Sequence, residues 1–292
     1  MTTKRLYYIL LAVVCTCVNA EAQTHVLQYG VRGGMAFGVG NAGSETRSTI
    51  GGIGFADVGY TFYQPVSWSD IGVHTGLSFG YRLLPMSYPL REQFTNRDYL
   101  GNEMQYSVSG KVSARQHDVS CEIPVMFALR SDGLVFNVGA KLRPSIWQRN
   151  NQTLSDVVID AYYPLTDVHI INEVITGVLP PDMQQQTTHA TMASLAVLAG
   201  MELGCEWQVS KTSALGFLFF VDCTVWDTRS AATALPVVTV SNISNPQQPV
   251  PAVSVNNTVA SQFGSLHPIE CGIKFYGTFC KHGHKHWHKR WQ

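Results

Sequence analysis

Four histidines alternate with other residues near the carboxyl end of the chain. They are His282, His284, His286 and His288, and in an extended segment this spacing places their side chains on one side. Neutral imidazoles bind zinc, copper and nickel, so the pattern predicts a metal site for Zn, Cu or Ni and no other cofactor. Residues 280 to 292 also carry four Lys or Arg and no Asp or Glu. The alternative interpretation is therefore a basic tail that contacts anionic lipid headgroups or periplasmic polymers.

A second group of polar residues recurs at every other position of segments that are otherwise apolar. Their side chains share the face opposite the large apolar residues, and a charge that faces lipid at mid-membrane costs about 2 to 4 kcal/mol for Arg or Lys. The parity predicts a polar network inside a closed sheet, made of Arg32, Asp57, His74, Arg82, Asp118, Glu122, Lys141, Arg143, Glu202, Glu206, Asp222, Glu270 and Lys274.

The interior of an eight-strand barrel is just wide enough for side chains to fill, so we expect these charges to pair with one another. The alternative is a proton or ion path lined by Asp118, Glu122, Glu202, Glu206 and Arg143. A hydrolase would need a nucleophile beside a base. The candidates are Ser78 or Ser120 with His74 and Asp118. His74 and Ser78 lie four residues apart on one strand, which is too far for a direct hydrogen bond. The sequence thus predicts that the protein is not an enzyme.

The elements that position these side chains are strands. From Ile71 to Leu83 large apolar residues alternate with small or polar ones, and residues 117 to 130 repeat this period. Similar segments span residues 26–39, 52–63, 134–147, 191–208, 213–226 and 263–279. Each is near or above the nine to eleven or so residues that a tilted membrane strand needs. The fold class predicted is all-β, a closed antiparallel transmembrane β-barrel of about eight strands, or ten if the long loops hold two more.

The connections alternate in length. Short ones at residues 64–70, 131–133 and 209–212 predict periplasmic turns, and long ones at 40–51, 84–116, 148–190 and 227–262 predict external loops. The longest loop contains an apolar run from Val168 to Ile175, which indicates a strand extension or a partner-binding ridge.

The chain begins like an exported protein. Lys4 and Arg5 precede an apolar run at residues 6–18 and a small-x-small cleavage site that ends at Ala22. We therefore expect a signal peptide at 1–22, a barrel at 23–279 and a tail at 280–292, in the outer membrane of a Gram-negative bacterium. The expected partners are outer-membrane lipid and proteins that bind the external loops or the tail. Nucleic acid is excluded because the tail would face the periplasm.

Three short segments resemble a known family. Residues 119–125, Val-Ser-Cys-Glu-Ile-Pro-Val, resemble the "LEIP" strand motif of PorT-like outer-membrane β-barrel domains. Residues 136–142 are similar to the next family segment, and 270–275 to its final "GIKF"-like strand. The resemblance covers essentially all of the mature chain and implies a membrane-embedded barrel. The chain departs from the pattern with Cys121 at the usual Leu position and with thirteen residues after Phe279.

Three functions are consistent with these features. The first is an integral outer-membrane barrel with a structural or surface ligand- or partner-binding role and no catalysis. The second is a PorT-like accessory of protein secretion or envelope assembly. The third is a soluble periplasmic binder that resembles a lipocalin, since such barrels share the strand alternation.

Overall fold

The computed structural model describes residues 24–40, 47–66, 69–97, 101–171, 185–188, 194–228, 238–240, 253–255 and 266–280. Apart from turns and a single helical-turn residue these are strands. Their bounds are β1 (Thr24–Gly40), β2 (Arg47–Ser48), β3 (Gly51–Val66), β4 (Ser69–Arg97), β5 (Glu103–Ser131), β6 (Leu134–Tyr163), β7 (Val168–Ile171), β8 (Gln185–Thr188), β9 (Leu195–Gln208), β10 (Ser213–Asp227), β11 (Val238–Val240), β12 (Val253–Val255) and β13 (Leu266–Cys280). No helix in these ranges is long and apolar enough to cross a membrane.

Eight of the strands pair edge to edge in a closed ring. The order is β1, β3, β4, β5, β6, β9, β10, β13 and back to β1, and every pairing is antiparallel. The ring closes where β1 pairs with β13, with Val26 opposite Cys280 at one end. A closed ring leaves no unpaired strand edge, which makes the arrangement barrel-like. The predictions of an all-β fold and of about eight antiparallel strands are confirmed.

Short connections lie at one end of the ring, which we name the turn end. Asp132 and Gly133 join β5 to β6 with positive φ angles of 48° and 82°. This conformation is the one that a two-residue hairpin requires and that glycine adopts freely. Residues 67–68 join β3 to β4, and 209–212 join β9 to β10. The predicted short turns are thus confirmed, and the long connections lie at the opposite end, named the far end.

The faces of the ring have the polarity of a membrane barrel rather than that of a soluble one. On β4 the outward side chain of Phe79 is 54% exposed, whereas the inward Arg82 is 2% exposed. On β10 the outward Phe219 is 58% exposed and the inward Asp222 is fully buried. Large apolar residues therefore cover the outside of the ring and charged residues fill the inside.

Three neighbouring strands extend beyond the far end of the ring. Residues 84–97 of β4, 103–116 of β5 and 148–163 of β6 continue to pair, and β7 adds to β6. We name this part the projecting sheet. The predicted loop at 84–116 is therefore wrong: most of it is a β-hairpin. The prediction for 148–190 is wrong for residues 148–163 and confirmed at Val168–Ile171, which form β7; residues 172–175 of that apolar run lie outside the described ranges.

The projecting sheet has the opposite face polarity to the ring. On β5 the inward residues Met104, Tyr106 and Val108 are buried, and the outward Ser107 and Lys111 are exposed. These inward residues belong to an apolar core that also includes Leu84, Met86 and Leu90 of β4 and Ile159 of β6. An apolar inside with a polar outside is the pattern of a water-soluble sheet. The alternation of inward and outward side chains continues through β5. At the rim of the ring, however, the inward face changes from charged to apolar and the outward face from apolar to polar.

Candidate functional site

The middle of the ring is organised around Arg143 on β6. Its Nε donates to Oε1 of Glu122 at 2.7 Å, and its Nη2 donates to Oε2 of Glu270 at 2.6 Å. All three side chains are buried. One guanidinium thus joins carboxylates from β5 and β13, which lie on different sides of the ring. Charge-assisted pairs of this kind are the strongest hydrogen bonds available inside a protein.

Arg32 on β1 extends the network. Its Nη1 donates to Asp222 Oδ2 at 3.0 Å, its Nη2 contacts Glu122, and its Nε lies 3.5 Å from Asp57 Oδ1. The guanidinium carbon also lies 4.3 Å from the centre of the Phe55 ring, within the range of a cation–π contact. Arg32 and Arg143 therefore share Glu122.

Two lysines neutralise the acids nearer the turn end. Lys141 Nζ donates to Glu202 Oε1 at 3.2 Å and to Asp222 Oδ2 at 2.9 Å. Lys274 Nζ lies 3.8 Å from Glu202 Oε2 and 3.9 Å from Asp57 Oδ2. Neither amine is left in the interior without a carboxylate, as the cost of burying an isolated charge requires.

The upper layer of the network lies at the rim. Arg82 donates to Asp118 Oδ2 at 2.7 Å and to Glu270 Oε1 at 3.3 Å. Ser145 Oγ donates to Asp118 Oδ1 at 2.6 Å. The apolar core of the projecting sheet continues past this layer into the ring through Phe55 and Phe220, whose rings lie beside Arg32.

A further layer at the turn end contains residues that the sequence analysis missed. Arg130 donates to Asp70 Oδ2 at 2.7 Å and approaches Glu206 Oε1 at 3.5 Å. The hydroxyl of Tyr276 donates to Glu206 Oε2 at 3.2 Å. Arg130 has the inward parity of Asp118 and Glu122 on the same strand, so the parity could have identified it. Asp70 was assigned to a turn and gave no such signal.

The structure brings the predicted interior residues together. Each of the predicted Arg, Lys, Asp and Glu side chains is buried and makes at least one ion pair inside the ring. His74 is also buried, but its Nδ1 is hydrogen-bonded to Thr61 Oγ1 at 2.8 Å rather than to a carboxylate. A cavity of about 10 Å³ lies near His74 and Lys274 and has room for about one water molecule.

A basic cluster lies on the outward face just above the ring. His117 Nδ1 shares a hydrogen bond with the hydroxyl of Tyr81, and its Nε2 lies 3.4 Å from Asn151 Nδ2. Arg149 Nε donates to Asn151 Oδ1 at 3.1 Å. Burial and the positive charges of Arg149 and Arg115 lower the pKa of His117. The potential at this position is therefore positive. We name Arg115, His117 and Arg149 the rim cluster.

The hairpin between β6 and β7 exposes apolar and aromatic side chains. Tyr162 stacks on His169 with ring centres 4.5 Å apart. Its hydroxyl donates to Asp167 Oδ1 at 3.0 Å, and this hydrogen bond raises the pKa of Tyr162. Leu165, Val168 and Ile171 are exposed nearby. Several exposed apolar side chains on one hairpin are typical of an interaction surface.

The metal and processing predictions concern other parts of the chain. His282, His284, His286 and His288 lie outside the described residues, as does the predicted signal peptide at 1–22. Within the described ranges no group of three or more His, Cys, Asp or Glu is arranged to hold a metal ion.

Comparison with known proteins gives fold-level likenesses only. No protein-family model matches the chain, and no curated protein matches it. Among solved structures it is similar to the outer membrane protease OmpT from Escherichia coli, at 7% identity and a TM-score of 0.22, over 88% of this chain and 96% of that one. It is also similar to the P. putida toluene transporter TodX, at 9% identity and a TM-score of 0.14, over 92% of each chain.

These comparisons correct one expectation. The prediction that the protein is not an enzyme is wrong as stated, because one of the outer-membrane structures similar to it is a protease. The likeness is far too weak to assign proteolysis to this chain. The absence of catalysis is therefore no part of the function proposed below.

Proposed function

We propose that the protein is an integral outer-membrane barrel whose ring crosses the bilayer and whose projecting sheet stands outside it and binds a partner there. The observation that carries this proposal is the reversal of face polarity at the rim. On β4 the inward residue changes from Arg82 to Leu84, and on β5 it changes from Asp118 to Ala114. Apolar side chains face outward on one side of this boundary and inward on the other. A change of solvent from lipid to water accounts for both patterns.

The dimensions of the ring support the same proposal. Its strands run from the turn end to the rim over segments such as Ile71 to Arg82 on β4. A tilted strand needs about nine to eleven residues to span the hydrocarbon layer, so these segments are long enough. The turn end would face the periplasm and the projecting sheet would face the outside.

The partner-binding part of the proposal rests on the β6–β7 hairpin. Leu165, Val168 and Ile171 are exposed beside the stacked pair Tyr162 and His169. Aromatic and aliphatic side chains of this kind form the centre of many protein interfaces. A protein or peptide with an apolar surface is the partner that this chemistry fits.

Four native cysteines provide a direct test of the membrane boundary. Cys121, Cys205, Cys223 and Cys271 all lie at outward positions of the ring, partly exposed in the absence of lipid. The mature chain carrying Cys280→Ser would be reconstituted in phosphatidylcholine vesicles and treated with a sulfonated, water-soluble maleimide. The matched control is Ser113→Cys, at an exposed outward position of the projecting sheet.

The proposal predicts that the four native cysteines stay unmodified in vesicles and that Ser113→Cys is labelled within minutes. Unfolding in urea should then expose all of them to the reagent. If the native cysteines react as fast as Ser113→Cys in the folded protein, the outward face of the ring contacts water and the membrane proposal fails. The role of the β6–β7 hairpin in partner binding would be tested separately with Leu165→Asp. This variant should no longer bind the partner, and its cysteines should stay protected from the maleimide.

Membership of the PorT-like family remains part of the proposal, because no family model matches the chain. The three resembling segments all contribute interior charges: Glu122 in residues 119–125, Lys141 in 136–142, and Glu270 with Lys274 in 270–275. The resemblance therefore concerns the residues that fill the barrel. A secretion accessory would co-purify with components of an export machine, whereas a separate binding protein would not.

The lipocalin-like alternative receives no support from the interior. A soluble binder of that class needs an apolar cavity that holds a small ligand. Here the cavity beside His74 and Lys274 is lined mainly by charged and polar side chains and has room for about one water molecule.

A further inference from the structure

We infer that the rim cluster, Arg115, His117 and Arg149, binds phosphate groups of a lipid headgroup in the outer leaflet. This inference rests on the proposed function, since it requires the ring to cross the membrane with the projecting sheet outside. It assigns a ligand class to a surface that the interior network does not involve.

The position of the cluster relative to the apolar surface is the first argument. On β5 the outward residue Val119 belongs to the apolar belt, and His117 is the next outward residue towards the far end. On β6 Trp147 is paired with Val119, and Arg149 is paired with His117. The cluster therefore begins one outward position above an interfacial tryptophan. Tryptophan marks the headgroup level of a bilayer, so the cluster lies where lipid phosphates are.

The charge of the surrounding surface is the second argument. Residues 84–91, 109–116 and 149–155, which form the lower part of the projecting sheet, contain Arg91, Lys111, Arg115 and Arg149 but no Asp or Glu. Acidic residues appear directly above these ranges, at Glu92 and Asp156, and higher on the sheet at Glu103 and Asp160. The positive charge of the rim cluster is thus not offset by an outward Asp or Glu at its own level of the described strands β4, β5 and β6. Each Lys or Arg near an anionic lipid surface contributes about 1 kcal/mol of attraction.

The arrangement of the side chains is the third argument. Arg115 is paired with Asn151, and His117 with Arg149, so the two arginines are diagonal neighbours on adjacent strands. Side chains in this relation are about 7 to 8 Å apart at their bases, a separation that two guanidinium groups bridge when they hold one phosphate. The Asn151 oxygen accepts from Arg149, which orients that guanidinium. His117 is held in place by Tyr81 and faces the two arginines.

The test uses the full mature protein in a neutral detergent, with the midpoint temperature of its gel-mobility shift as the readout. Three additions are compared: bisphosphorylated lipid A, the same lipid with its phosphates removed, and inorganic phosphate. The inference predicts that only the bisphosphorylated lipid raises the midpoint, since a ligand that binds only the folded state stabilises it. The double variant Arg115→Gln/Arg149→Gln should weaken the apparent affinity by about tenfold or more.

The control variant is Lys211→Gln, which removes one positive charge at an exposed position of the turn end. It should bind the lipid as the wild type does. A second readout is the pKa of His117 followed by NMR, assigned by the signal lost in His117→Asn. Phosphorylated lipid should raise this pKa and dephosphorylated lipid should not. The charge-retaining variant Arg115→Lys/Arg149→Lys should keep most of the affinity, which separates charge from folding.

Three results would overturn the inference. Equal stabilisation by the two lipids would show that the acyl chains bind and the phosphates do not. Equal stabilisation by inorganic phosphate would indicate a free-anion site rather than a headgroup site. A loss of affinity in Lys211→Gln as large as in the double variant would show that lipid binding depends on the net charge of the protein and not on the rim cluster. In all three cases the proposal that the ring crosses the membrane would still hold, provided that the protein keeps its heat-dependent mobility shift and its native cysteines stay protected from the maleimide.

Discussion

At the scale of single residues, Glu122 is one of the interior anions that two cations share. It contacts both Arg32 and Arg143, and all three side chains are almost completely buried. Burying an ion pair is not strongly stabilising in itself, but removal of one partner leaves an uncompensated charge in a medium of low dielectric constant. The two arginines compete for one carboxylate, so loss of Glu122 affects both.

We therefore expect Glu122→Gln to destabilise the ring by about 3 to 5 kcal/mol. The free energy of unfolding would be measured by urea titration in phosphatidylcholine vesicles, with tryptophan fluorescence as the signal. Lys211→Gln, an exposed charge at the turn end, should leave it unchanged. A loss below about 1 kcal/mol in Glu122→Gln would mean that water reaches this part of the interior.

Parity alone predicted which charged residues face inward, because a strand places alternate side chains on opposite faces. It did not predict which residues pair. Arg82 contacts Asp118 on the adjacent strand and also Glu270 from β13, which is far away in sequence. Such contacts depend on strand register and on the closure of the ring, and neither is encoded in the alternation of one segment. Arg130 and Asp70 were missed because they lie where a strand meets its turn.

At the scale of the element, β5 shows most clearly what the sequence did and did not disclose. Its inward residues run from Met104 through Val112 to Asp118 and Glu122 at even positions throughout, although the pairing with β6 shifts register at Gly110 and again between Val119 and Ser120. Residues 103–116 belong to the predicted loop 84–116, which was assigned because the long connections are rich in Asn, Gln, Ser, Thr and Pro. Where β5 passes from lipid to water, its outward face changes from apolar to polar and its inward face from charged to apolar. In the sequence this change looks like the end of a membrane strand, although the strand continues.

Because the outward face of β5 would contact lipid in the ring and water in the projecting sheet, substitution by arginine should have different effects at outward positions in the two parts. We expect Val125→Arg, in the middle of the apolar belt, to cost about 2 to 4 kcal/mol of folding free energy in vesicles. Ser113→Arg, outward on the same strand but in the projecting sheet, should change it little because the side chain reaches water. Both would be measured by urea titration of the reconstituted protein. Equal effects at the two positions would contradict the proposed boundary.

The core of the projecting sheet permits a complementary prediction. Tyr106 is buried and stacks on Phe94 with ring centres 5.1 Å apart. Tyr106→Ala should remove about 3 kcal/mol of local packing, the scale of an aromatic truncation in a core. Hydrogen exchange should then accelerate at residues 103–109 and stay slow in the ring, because Tyr106 lies far along β5 from the ring residues, such as Phe55 and Phe220, that belong to the same apolar core. Uniform acceleration throughout the chain would show instead that the ring and the projecting sheet unfold as one unit.

At the scale of the whole molecule, the ring and the projecting sheet perform different tasks. The ring has a charged, filled interior and an apolar exterior, which suits an anchor in lipid. The projecting sheet has an apolar core and a polar exterior that carries the rim cluster and the β6–β7 hairpin. Sequence patterns were sufficient for the first part because charges inside a membrane barrel are easily recognised. Sequence patterns were insufficient for the projecting sheet, in which three barrel strands continue beyond the ring with the apolar core and polar exterior of a water-soluble sheet.

A filled interior has a consequence for transport. Arg32, Arg143 and Lys141 are held by carboxylates two or three strands away around the ring, so the mature wild-type protein should show no steady ion conductance in planar bilayers. The measurement would use 1 M or so of KCl to screen surface charge, with a wide porin as the positive control. Incorporation would be verified by the heat-dependent gel mobility of the same protein. Steady openings that scale with salt would contradict a closed interior and would instead support an ion path past Asp118, Glu122, Glu202, Glu206 and Arg143. Brief openings that appear only in Glu122→Gln would have the opposite meaning: the ion pairs close the ring, and conduction begins where one of them is lost.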